Sequence, residues 1–142
     1  MTIETIQNEI IEDFEFLDDW EQKYEYIIEL GKKLPPIQEQ FKSEEYLIKG
    51  CQSRVWLRAE LQDSKLYYTA DSDALITKGI VSLLIKVLNA QPAEDIAAAE
   101  LFFIEKIGLQ SHLSPTRSNG LRSMIVQMQS YAKHFSETQN QN

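Results

Sequence analysis

Residues 55–88, VWLRAELQDSKLYYTADSDALITKGIVSLLIKVL, change their hydrophobic period midway. Val55, Leu57, Ala59 and Leu61 alternate with Trp56, Arg58 and Glu60, the pattern of a strand with one face buried. Gln62-Asp63-Ser64 reads as a hairpin turn, after which Leu66, Tyr68 and Ala70 resume the alternation. Then Leu75, Ile76, Ile80, Leu83, Leu84, Val87 and Leu88 recur at three- and four-residue steps, the broad apolar face of a helix. Asp71-Ser72-Asp73 stands where that helix needs an N-cap. A hairpin feeding directly into an apolar helix is the nucleus of a layered domain.

On the N-terminal side, Ile3, Ile6, Ile10, Phe14 and Leu17 share one face of an amphipathic helix. Asp18 and Asp19 are suited to cap a second helix that turns Trp20, Tyr24, Ile27 and Ile28 inward. Gly31 suits the C-terminal end of that helix, and Pro35-Pro36 stops it. Residues 32–45 read as loop, and Tyr46 to Lys49 as a short first strand, leaving Gly50 to Ser53 as a tight connection. On the C-terminal side, Gln91-Pro92 opens a short helix, and Leu101 to Ile107 forms another closed by Gly108. A polar loop, Ser114 to Asn119, leads to a last helix with Leu121, Met124, Ile125, Met128, Tyr131 and Phe135 inward. From Glu137 the chain is polar and is expected to be a disordered tail, residues 137–142. No repeat or long linker interrupts this order. The expectation is one α+β domain over residues 1–136, a small antiparallel sheet with helices mainly on one face.

The length of 142 residues suits one domain, and 43% apolar residues suffice for a core. Acidic residues outnumber basic ones, 22 to 14, for a net charge of -8. That balance disfavours nucleic acid and anionic membranes as partners, because phosphate binding needs clustered Lys and Arg. No stretch approaches the roughly 18 apolar residues of a membrane span. The start, MTIETIQNEI, is acidic and amphipathic, unlike a secretory signal, so the expected compartment is the cytoplasm. A single cysteine excludes an internal disulfide and a multi-cysteine zinc or iron–sulfur site held by this chain alone.

That cysteine, Cys51, lies in KGCQSRVW, just after Gly50 and just before a strand. Gly50 permits a positive φ, so the thiol can stand at the tip of a turn. Lys49 and Arg54 flank it and are candidates to stabilise a thiolate. A lone cysteine is often an inert small hydrophobe, and the residues alone leave both readings open. The polar loop position favours a working thiol, since inert cysteines usually occupy apolar faces of regular elements.

GCQSRVWL, residues 50–57, resembles the signature of SufE-type sulfur acceptors and the similar CsdE proteins. DWEQKYEYIIELGKKLP (19–35), SDALITKGIVSLL (72–84) and LSPTRSNGL (113–121) resemble further segments of the family, in the same order along the chain. The resemblance implies that Cys51 takes a persulfide sulfur from a cysteine desulfurase of the SufS or CsdA type, stimulates that enzyme, and hands the sulfur to an iron–sulfur scaffold complex of the SufB type. It implies that Arg117 lies near the cysteine loop, with Gly50, Gln52 and Ser53 supporting the cysteine and Asp71 and Asp73 in a segment that meets the desulfurase. No metal or organic cofactor is expected on this chain, the pyridoxal phosphate belonging to the donor. Arg54 departs from the family, many members of which have glutamine there.

Other readings carry less. His112 or His134 paired with Cys51 would make a hydrolase, although two surface histidines by chance explain them more simply. A non-carrier adaptor would bind and activate the desulfurase without taking sulfur. An iron–sulfur scaffold would need several cysteines.

Overall fold

A computed structural model describes residues 1–140 of the chain. Two helices open it, α1 (Ile3–Glu15) and α2 (Trp20–Lys33). Thr2 caps α1 through the Thr5 N–H, and Asp19 caps α2 by accepting from the Gln22 N–H at 2.9 Å. Ile3, Ile10 and Phe14 of α1 and Ile27 of α2 are buried, as their periodicity requires. Gly31 does not end α2, which runs two residues further. It sits where α2 crosses α3 (Leu75–Leu88): a Cβ on Gly31 would fall 2.7 Å from the backbone nitrogen of Gly79. Two glycines facing each other let the helix backbones touch, a use of glycine that a pattern of caps does not reveal.

The hairpin is as read. Strands β1 (Val55–Gln62) and β2 (Lys65–Ser72) pair in register from Val55↔Ser72 to Gln62↔Lys65. Asp63 and Ser64 both have positive φ, 53° and 68°, as a two-residue type I′ turn requires. The third strand differs from expectation. Segment 46–49 makes only an isolated bridge, Leu47↔Trp56, because Glu44–Tyr46 is a turn of 3-10 helix. The third place in the sheet is taken by β3 (Gln91–Pro92), paired with Leu66 and Lys65. Gln91 and Pro92 therefore precede a helix, α4 (Ala93–Ala98), with Pro92 in the N-cap place.

Val55, Leu57, Leu66, Tyr68 and Ala70 form the inner sheet face. Helix α3 packs against it and is buried on nearly all sides, although Leu75, counted inward from sequence, is 63% exposed at its first turn. Helix α5 (Phe103–Lys106) is shorter than the expected 101–107, and Gly108 after it has φ +74. Helix α6 (Pro115–Asn140) absorbs the expected polar loop: Ser114 accepts the Arg117 N–H at 3.2 Å and Pro115 takes the first helical position. It runs past Glu137, where the polar composition points to a tail, and Thr138 Oγ1 donates to the His134 carbonyl at 2.9 Å. Of that tail, residues 141–142 lie outside the described residues.

Candidate functional site

Cys51 occupies a short loop, residues 49–54, between the Leu47↔Trp56 bridge and β1. Both ends of the loop are fixed. The Ile48 N–H donates to the Val55 carbonyl at 2.8 Å. The Arg54 N–H donates to Asp73 Oδ1 at 3.1 Å, and Ser72 Oγ donates to the Arg54 carbonyl at 2.8 Å. Between these anchors Gly50 has φ +93, and its Cα rests against α6, where a Cβ would stand 2.5 Å from Ser123 Oγ.

The loop turns the thiol toward a cavity of about 390 Å³. Cys51, Gln52 and Ser53 supply one side, Thr77 and Ile80 of α3 a second, and Ser114, Thr116, Arg117, Gly120 and Met124, at and along the start of α6, the third. The elements explain the convergence. The hairpin delivers the loop beside the start of α3, and the first turns of α6 run alongside. Cys51 is half-buried, and its Sγ–H donates to the Gly120 carbonyl at 3.6 Å. Burial pushes the thiol pKa above its ordinary value.

The resting thiol is thus sheltered rather than activated. Lys49 and Arg54, expected to stabilise a thiolate, are exposed and do not line the cavity. Arg117 is the cation that does, carried there by the first turn of α6. Cys51, Gln52, Ser53 and Arg117 share one cavity, and Gly50 flanks it. Asp71 does not join them. It faces Lys42 at 3.2 Å and Lys78 at 3.3 Å, and its side chain is buried within the protein. Nor does the 71–73 segment cap α3, because β2 extends through Ser72 and Ala74 takes the N-cap place without a side-chain bond. Asp73 is exposed and holds the Arg54 N–H.

Neither histidine reaches the cavity. His112 stacks on Trp20 with ring centroids 3.9 Å apart, and its Nδ1 meets the Gly108 carbonyl at 3.1 Å. Among the described residues, no cluster of three or more His, Cys, Asp and Glu is placed to hold a metal ion. No helix among them is long and apolar enough to cross a membrane. Sequence reading missed Thr77, Ile80, Gly120 and Met124 as cavity residues. Their one signal was Thr77, a hydroxyl interrupting an otherwise apolar stripe of α3.

A single-cysteine α+β domain with its half-buried thiol lining a cavity is the class that fold and geometry define. Residues 8–132 match the family model described as the SufE Fe-S metabolism associated domain, and the chain belongs to the SufE family. An uncharacterized SufE-like protein of Rhizobium etli is 44% identical over 131 residues, covering 89% of this chain and 88% of that one. Another from Rhizobium meliloti is 41% identical over 134 residues, covering 91% and 96%. The SufE-like protein 1, chloroplastic/mitochondrial, of Arabidopsis thaliana is 40% identical over 128 residues, 89% of this chain but 34% of that longer protein. The solution structure of a hypothetical protein from Thermus thermophilus superposes with a TM-score of 0.76 at 21% identity, covering 91% of this chain and 94% of that one, a likeness of fold. Family membership implies a sulfur-transfer role in iron–sulfur metabolism and interaction with a cysteine desulfurase.

Proposed function

We propose that Cys51 is the sulfur acceptor. Its thiolate attacks the outer sulfur of a persulfide on a cysteine desulfurase of the SufS type, an S–S bond forms at Cys51, and the donor cysteine leaves as a thiolate. The exchange is redox-neutral. The outer sulfur and its electron deficiency move together, and the proton lost by Cys51 is available to the departing thiolate. The observation that carries this reading is the position of Cys51: half-buried at a cavity, on a loop whose glycine hinge and Arg54 anchor bound a segment short enough to move as a unit. Shelter at rest keeps a loaded sulfur from free thiols, and release on docking brings it to the donor. Arg117 at the cavity mouth supplies positive charge for the anionic sulfur.

Cys51 then delivers its sulfur to an iron–sulfur scaffold complex of the SufB type in the cytoplasm, while docking and removal of the persulfide stimulate the desulfurase. A CsdE-like pairing with a paralogous CsdA-type desulfurase uses the same chemistry.

Intact-mass measurement after incubation with desulfurase and free cysteine tests the proposal. The wild-type chain gains about 32 Da, reversed by a thiol reductant. Cys51→Ser gains nothing and does not stimulate the desulfurase, and Arg117→Ala loads more slowly with an unchanged unfolding midpoint. Undiminished stimulation by Cys51→Ser would make the protein an adaptor and not a carrier.

A further inference from the structure

Among the described residues, four polar residues are buried: Gln7, Asp71, Thr77 and Gln91. Three of them make side-chain hydrogen bonds or ion pairs within the protein. Gln7 Nε2 donates to the Glu100 carbonyl and its Oε1 accepts the Phe103 N–H, both at 3.1 Å. Asp71 accepts from Lys42, Lys78 and the Ser72 N–H. Gln91 Nε2 donates to the Met1 carbonyl at 2.9 Å. Thr77, 7% exposed, makes no side-chain hydrogen bond to any described residue. A helical threonine commonly returns its hydroxyl to the carbonyl one turn back, as Thr138 does; Thr77 does not.

No enclosed side-chain nitrogen or oxygen among the described residues lacks a partner. The Thr77 hydroxyl is therefore not enclosed, and it opens onto the cavity that Thr77 lines with Cys51. Ile80 and Met124 line the same cavity. A hydroxyl with no protein partner, in a cavity that also holds the thiol, is free to donate to whatever occupies that cavity.

We propose that Thr77 holds the outer sulfur of the Cys51 persulfide, its hydroxyl donating a hydrogen bond to the terminal, anionic sulfur. The proposal rests on Cys51 being the sulfur acceptor. Loading adds one atom at an S–S bond of about 2 Å, and the cavity of about 390 Å³ has room for it. The bond is charge-assisted, and Thr77 is buried where Arg117, the cation of the same cavity, is exposed. Its effect is retention: the terminal sulfur, once held, exchanges more slowly with thiols in solution.

Thr77→Val keeps the shape and deletes the hydroxyl, whereas Thr77→Ser keeps the hydroxyl. The full chain and both variants are loaded without any desulfurase, using inorganic polysulfide. The Cys51 thiolate forms its S–S bond as one polysulfide S–S bond breaks, and the shortened polysulfide leaves. Excess reagent is removed, glutathione is added, and the loaded fraction is followed by intact mass. Loaded Thr77→Val loses sulfur about tenfold faster than wild type, the effect of one charge-assisted hydrogen bond, and Thr77→Ser stays near wild type. Equal rates for Thr77→Val and wild type overturn the proposal. So does a Thr77→Ser rate as fast as that of Thr77→Val, since packing alone then accounts for both. Wild-type chain incubated in parallel with desulfurase and cysteine tests the acceptor reading separately. If that arm gains no sulfur, the acceptor reading fails, while the polysulfide arm still decides the role of Thr77.

Discussion

Gly50 is required twice at one position. Its φ of +93 costs an ordinary L residue about 1–2 kcal/mol. A Cβ there would also stand 2.5 Å from Ser123 Oγ, so either that hydroxyl swings aside or the loop shifts off α6. Gly50→Ala is expected to lift the loop from that seat and carry Cys51 toward water. The pH consequence follows from the cause of the shift. Burial favours the neutral thiol and raises its pKa, so exposure returns it toward the ordinary value and increases the thiolate fraction at a given pH. The rate of Cys51 alkylation by iodoacetamide in Gly50→Ala is therefore expected to rise several-fold at neutral pH. Its pH profile should move to lower pH than that of wild type. Coincident profiles would mean that the loop accommodates the methyl group without leaving the cavity.

At the level of elements, Asp71 joins three parts of the chain. It lies on β2 opposite Trp56 of β1, and its carboxylate meets Lys42 of the 39–42 turn and Lys78 of α3. Burial by itself would raise its pKa. The Ser72 N–H and the two ammonium groups outweigh burial and hold the carboxyl below its ordinary value. A depressed folded pKa stabilises the fold above the unfolded value and loses that stabilisation as pH falls through the folded one. Asp71→Asn is thus expected to lower stability by about 1–3 kcal/mol at pH 7. The gap to wild type should narrow well below pH 4, where both unfolded carboxylate and folded pair are being protonated. Urea unfolding at pH 7 and pH 3 measures it, and an equal gap at both rules out the ion pairs as its source.

The same residue shows where sequence reading stops. Asp-Ser-Asp before an apolar run is a sound cap signal, but it carries no information on how far the preceding strand is zipped, and pairing of Ser72 with Val55 decides the matter. Likewise SPTRSNG has the composition of a loop, whereas Ser114 and Pro115 are the N-cap and first residue of α6. The two hairpin strands, the main helix faces and the loop position of Cys51 were legible because each rests on local periodicity or local turn chemistry, whereas the third strand, Gln91–Pro92, was not. Gly31 against Gly79, Thr77 in the cavity and the lysines around Asp71 depend on which elements cross, and that is settled by packing between distant segments.

Across the whole molecule, the cysteine loop and the Gln7 network lie at opposite ends of the hairpin. Cys51 sits in the loop just ahead of β1, while Gln7 faces the far end, in a groove that also contains Lys65 beside the Asp63–Ser64 turn. The eight residues of β1, which run between those two ends, span about 25 Å. Gln7 is 1% exposed and ties α1 to the chain ahead of α5 through both halves of its amide, at the Glu100 carbonyl and the Phe103 N–H. Gln7→Ala removes both bonds and leaves two backbone groups to find other partners, at an expected cost of about 1–3 kcal/mol. Nothing in that network touches the cavity, the Gly50 seat or the Arg54 anchor. Loading of Cys51 by a desulfurase, measured well below the unfolding temperature, should therefore proceed in Gln7→Ala at the wild-type rate while its unfolding midpoint falls by several degrees. A parallel loss of loading and stability would show instead that the two ends act as one cooperative unit, and that the cysteine loop depends on the packing of α1 as well as on its own anchors.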